Sequence, residues 1–145
     1  MTYRLALLSA VPLIRGEYCY RSLDLWVRDL EAQIGVVSEL VLFAPVDAAN
    51  GANVGHVAAV PAELLVAHLN RLDAAMLRRD LAGGDVVQLP GNFTLGKSAM
   101  ARRFARVARK VGKPVIVGIS SDRAKTSLMN AKGRGGIAVA RAWLS

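Results

Sequence analysis

The chain has 145 residues, of which 53% are hydrophobic and 21% charged, with a mean hydropathy of +0.32. This excludes a disordered or low-complexity chain and fits a single domain with one sizeable core. The net charge of +8 divides unevenly, residues 1–90 summing to −3 and residues 91–145 to +11, so an anionic partner is expected on the C-terminal side.

Residues 4–11 are a continuous apolar run of strand length, bounded by Pro12 and Gly16, as expected of a strand buried on both faces. The run is short of the ~20 residues that span a bilayer, and Arg15-Gly16-Glu17 follows it where a signal peptide would carry a cleavage pattern. Ser22 is placed to cap a helix over residues 23–34. There Leu23, Trp26, Leu30 and Ile34 fall three or four apart, and Gly35 supplies the stop.

Residues 39–44 (ELVLFA) read as a second strand closed by Pro45, and residues 47–55, with two Asn and two Gly, as a loop. A short third strand is expected over residues 56–60, with Pro61 opening a helix. From 62 to 81 the set Leu65, Leu69, Leu72 and Met76 keeps helical spacing up to Gly83-Gly84. Residues 85–89 (DVVQL), 98–111 and 115–119 (VIVGI) then read as strand, helix and strand. The order strand, helix, strand, strand, helix, strand, helix, strand predicts an α/β fold. Its expected form is a single Rossmann-like domain, a mostly parallel sheet covered by helices on both faces. Ligands of such sheets bind at the carboxyl ends of the strands, here the loops around Arg15, Pro45, Pro90 and Ser120.

The sharpest motif is Gly91-Asn92-Phe93-Thr94-Leu95-Gly96-Lys97-Ser98, a match to G-x-x-x-x-G-K-[ST] between a strand and a helix. As a P-loop, its backbone amides and helix N-terminus would cradle phosphates. Lys97 would neutralise them and Ser98 would hold magnesium, with Asp122 as a carboxylate on the magnesium side. Such a motif normally follows the first strand of its domain, whereas about 90 residues precede this one; the alternative is a loop followed by a helix cap.

The helix behind the motif is sided. At roughly 100° per residue, Arg102, Arg103, Arg106, Arg109, Lys110 and Lys113 occupy about a third of its circumference, opposite Met100, Phe104, Val107 and Val111. The stripe reads either as a dock for anionic lipid headgroups or as the solvated face of a covering helix. No helix-turn-helix, RNA-recognition or stacking-aromatic pattern is visible, so nucleic acid is not an expected partner. A second basic stretch, residues 123–134, reads as a surface loop or a phosphate-binding one.

His56 and His68 are isolated in sequence, and His68, beside Leu65, Leu69 and Leu72, reads as a packing or surface residue. Cys19 is the only cysteine. With no disulfide and no zinc spacing available, a reducing cytoplasmic setting is expected, without structural metal or cofactor.

The segment Tyr20-Arg21-Ser22-Leu23-Asp24-Leu25-Trp26-Val27-Arg28-Asp29-Leu30, followed by Glu39-Leu40-Val41-Leu42-Phe43-Ala44-Pro45-Val46, resembles the start of family-four-like glycosyltransferases of the GT-B fold. The later segments Asp85-Val86-Val87-Gln88-Leu89-Pro90-Gly91 and Gly112-Lys113-Pro114-Val115-Ile116-Val117-Gly118-Ile119 extend the resemblance over nearly the whole chain. It implies the N-terminal, acceptor-side half of a transferase that moves a sugar from a nucleotide donor to a glycan or small-molecule acceptor. Donor binding would belong to a C-terminal domain outside these residues. Strand-end loops that meet at one rim, together with the resemblance, point to Arg15, Gly16, Glu17, Asn92, Ser121 and Asp122 as substrate-binding residues bordering one cleft at the carboxyl edge of the sheet, and leave the catalytic residues unassigned. The chain departs from the family pattern in having one glycine, Gly16, where a Gly-Gly turn is common, and Ser120-Ser121-Asp122 where many members carry a histidine. Residues 137–144 (IAVARAWL) begin an amphipathic helix only about two turns long, which reads as an element cut short. A P-loop nucleotide-binding protein and a non-catalytic α/β binding module are the alternatives, and contact with the inner face of an anionic membrane is compatible with each.

Overall fold

A computed structural model of the protein describes residues 3–47, 56–90 and 98–118. In chain order the strands and helices begin with β1 (Arg4–Leu8), β2 (Leu13–Arg15), β3 (Tyr20–Leu23), α1 (Asp24–Ile34), β4 (Glu39–Ala44) and β5 (Val46–Asp47). They continue with β6 (Val57–Ala59), β7 (Leu65–His68), α2 (Ala74–Ala82), β8 (Val86–Pro90), α3 (Ala99–Lys110) and β9 (Val115–Gly118).

Five strands form the main sheet in the order β7-β4-β1-β8-β9, every neighbouring pair parallel. Counted along the chain, its strands run third, second, first, fourth, fifth, which is the doubly wound Rossmann-like arrangement. The apolar runs follow from burial on both sides, because successive side chains of a strand point to opposite faces. Ala6 and Leu8 of β1, Phe43 of β4, and Val87 and Leu89 of β8 pack with Leu77 and Leu81 of α2 and Ala101, Phe104 and Ala108 of α3. The alternate residues Leu5, Leu7, Leu40 and Leu42 pack with Val27 and Leu30 of α1 and with Leu13, Val60 and Leu64. The sheet therefore has helices on both faces and two cores.

A second sheet, in the order β5-β2-β3-β6, supplies residues to the α1 side. Its presence corrects several sequence expectations. The first apolar run divides: β1 ends at Leu8, and the chain returns as the hairpin β2–β3, with Ile14 opposite Arg21 and Arg15 opposite Tyr20. The buried Ser9 closes the turn out of β1, its hydroxyl donating to the Val11 carbonyl and accepting from the Val11 amide, both at 2.9 Å.

Ser22 is not the cap of α1. It lies in β3, and its hydroxyl donates to the Pro12 carbonyl at 3.2 Å; Leu23 holds the cap position without a side-chain bond. The strand reaches Leu23 because β3 pairs with β6, bringing Leu23 opposite Val57. Leu23 is consequently exposed, and the buried face of α1 is Val27 and Leu30. The third strand expected at residues 56–60 exists as β6, but in this second sheet.

The helix expected over residues 62–81 is also corrected. Leu65–His68 is the edge strand β7, paired in parallel with β4, and a 3-10 turn at Leu69–Arg71 leads to α2. Leu65 is half exposed and Met76 exposed, while Leu77 and Leu81, four residues apart, make the core contact. The helix starts where a cap is available: the Asp73 carboxylate accepts from the Met76 amide at 2.7 Å.

Helix α3 is bounded as the sequence suggests. Ser98 caps its start, accepting from the Ala101 amide at 3.1 Å. At its end the Gly112 amide donates to Arg109 and the Lys113 amide to Ala108, with Gly112 at φ +71°, before Pro114. This paired closure requires the left-handed conformation that glycine adopts without strain. Among the described residues, no helix is long and apolar enough to cross a membrane.

Candidate functional site

The loop joining β2 to β3 is tight. The Gly16 amide donates to the Cys19 carbonyl at 2.9 Å, and a Cβ on Gly16 would lie 2.7 Å from that same oxygen. Only glycine permits this approach, because the obstructing atom is backbone and cannot rotate away. The turn forms one wall of a cavity of about 350 Å³, lined by Arg15, Gly16, Glu17, Tyr18, Cys19 and Tyr20. Facing them are Val60, Pro61, Ala62 and Leu64 on the way into β7, and Val66 within it. The volume lies at the small end of the range for organic ligands, about 300–1,000 Å³. One wall thus offers a guanidinium, a carboxylate, two phenols and a thiol, and the other is apolar.

Tyr20 ties this cavity to the main sheet. Its hydroxyl lies 2.7 Å from Nε2 of His68, the last residue of β7, and the rings meet edge to face with centroids 5.7 Å apart. The Tyr20 carbonyl also accepts from the Val60 amide at 2.8 Å, so both cavity walls are joined through one residue. Removing the hydroxyl should loosen the hairpin without opening a hole. Tyr20→Phe is expected to cost about 1 kcal/mol of stability, read by urea denaturation, while Tyr20→Ala costs clearly more. Equal stability of Tyr20→Phe and the parent would show that the hydroxyl carries no net bond.

Arg15, Gly16 and Glu17, singled out from the sequence, lie side by side on this wall. Asn92, Ser121 and Asp122, the other half of that set, lie outside the described residues, as do Gly91, Gly96, Lys97, residues 48–55, the basic stretch 123–134 and residues 137–144. Tyr18, Tyr20 and the apolar wall have no site role in the sequence reading, and His68 reads there only as a packing or surface residue. The helix reading of residues 62–81 hid them, by turning His68 into one of several residues along a helix. The signal that could have found them is the apolar stretch Leu64 to Ala67 between Pro61 and the turn formers Asn70 and Asp73.

The sheet order reverses about β1, which lies between β4 and β8, and the crevice of a doubly wound fold opens beyond the carboxyl ends there. β1 ends at Leu8 and β8 at Pro90. The cavity instead touches the main sheet at its edge strand β7. The Gly91–Ser98 motif does stand between a strand and a helix, β8 and α3, and its Ser98 hydroxyl is engaged as the helix cap.

Cys19 is a free, exposed thiol. Among the described residues, no group of three or more His, Cys, Asp or Glu side chains could hold a metal ion. Compared with known proteins, the chain gives no significant match to any family model, curated protein or solved structure.

Proposed function

We propose that the chain is the N-terminal, acceptor-side domain of a GT-B-type glycosyltransferase, binding a glycan or small-molecule acceptor to which a second domain presents a nucleotide sugar. The observation that carries this reading is the cavity beside the Rossmann-like sheet, whose polar wall is Arg15-Gly16-Glu17 and whose opposite wall is apolar. A sugar ring has a rim of hydroxyls and apolar C–H faces, and such a two-sided cavity meets both. Arg15 and Glu17 would hydrogen-bond the hydroxyls, and Tyr18 or Tyr20 would lie against a ring face. Orientation of donor against acceptor supplies much of the rate in a two-substrate cleft, so one wall by itself should not transfer sugar.

A second reading has its own support: Gly91–Ser98 joins β8 to α3, the context a phosphate-binding loop needs. Ligand-detected NMR with a panel of saccharides separates the two. Saccharide binding that weakens about tenfold or more in Arg15→Ala and Glu17→Gln is expected, a loss typical of removing a charged hydrogen-bond partner. Saccharide binding indifferent to both substitutions would leave a non-catalytic α/β binding module. Magnesium-dependent binding of mant-ATP that disappears in Lys97→Ala would move the function to the Gly91–Ser98 loop and overturn the proposal.

A further inference from the structure

Helix α3 carries no acidic residue in its first turn, although carboxylates are favoured at that end of a helix. Arg109 and Lys110 lie in its last turn, where cations complement the negative end of the helix dipole. Arg102 and Arg106, nearer its start, gain nothing from that field. All four side chains are exposed, and no ion pair among the described residues involves any of them. The two carboxylates of the adjacent α2 segment are already engaged, Asp73 as the cap of α2 and Asp80 with Arg79 at 3.1 Å. Helix stability therefore does not account for this face.

The opposite side of α3, Ala101, Phe104 and Ala108, is buried against the sheet, which fixes the cationic side outward. Arg102, Arg106 and Arg109 surround a shallow depression of about 240 Å³, with the small Ala105 among them. Guanidinium groups, unlike ammonium groups, present paired donors that match two oxygens of one phosphate. The helix has 12 residues and is about 18 Å long, and its exposed cations lie along one convex line that a flat surface can touch at once.

We infer that this face of α3 is a docking surface for an anionic phospholipid bilayer, its arginines gripping headgroup phosphates. The attachment is electrostatic, because the only apolar side chain among these arginines is the methyl of Ala105, too small to insert. It is also oriented. α3 covers one side of the main sheet, whereas Tyr20 and Val66 of the cavity pack with the core on the other side. A bilayer held by α3 leaves the cavity facing away from the lipid, so this surface tethers the protein and does not feed the cavity.

The test is co-sedimentation of the full chain with vesicles of phosphatidylcholine alone or with about one-third phosphatidylglycerol. Binding should require the anionic lipid and fall steeply between about 0.05 M and 0.5 M salt. Replacing Arg102, Arg106 and Arg109 together by Gln should weaken it about a hundredfold, near fivefold per cation, with an unchanged circular dichroism melt. Arg21→Gln with Arg28→Gln, which removes two exposed cations elsewhere, should change it less than threefold. Equal binding to neutral vesicles, or an equal loss in the control pair, would overturn the proposal. So would tighter binding to duplex DNA than to anionic vesicles at the same salt.

Discussion

Phe104→Ala should be the most damaging single truncation in the described part of the protein. Phe104 is fully buried, and its ring meets that of Phe43 edge to face at a centroid distance of 5.1 Å. The pair joins α3 to β4, one strand beyond the β1–β8 pair, so it spans the middle of the sheet. Truncation loses the transfer free energy of the ring, the aromatic contact and the packing around the resulting cavity, together about 3–5 kcal/mol. In a protein of this size the melting temperature should fall by about 10–15 °C. Phe104→Leu, which keeps much of the volume, should fall by less than half as much. A Phe104→Ala variant melting within about 2 °C of the parent would show that α3 is not seated on the sheet as described.

Gly16→Val should have the largest effect on the cavity. The added Cβ meets the Cys19 carbonyl at 2.7 Å, and relief requires the turn to open and its 2.9 Å amide-to-carbonyl bond to break. The expected cost is about 1–3 kcal/mol. The functional consequence is larger than the thermal one, because Arg15, Glu17, Tyr18 and Cys19 all lie on that turn. Saccharide binding should fall to the limit of detection while unfolding stays cooperative, since none of Gly16, Glu17, Tyr18 and Cys19 belongs to either core. Retention of binding in a folded Gly16→Val chain would separate the turn from the site. A calorimetric melt run beside the NMR titration distinguishes that result from unfolding.

The strands β1, β4 and β8 and the helix α3 were legible in the residues to within a few positions. Each is long enough, and buried thoroughly enough, for its pattern to be its own evidence. In β1 and β4 both faces must be apolar because two cores claim alternate side chains; in α3 five cations on one arc oppose Phe104, and Ser98 and Gly112 mark the ends. The succession of these elements was enough to reach a parallel α/β sheet.

What local pattern could not supply was the partnership of the short segments. Leu65, Leu69, Leu72 and Met76 satisfy helical spacing, yet Leu65–His68 gains more by pairing with β4, which leaves Leu65 half exposed and sends His68 to Tyr20. Ser22 has the chemistry of a cap but is drawn into β3, because β6 returns beside it from some thirty-five residues later in the chain. Strands of three or four residues carry too few side chains to declare a period, and the hydrogen bonds that define them come from distant partners. The Arg15-Gly16-Glu17 turn was therefore visible as residues, whereas the wall it faces exists only because β7 and the second sheet pair across the chain.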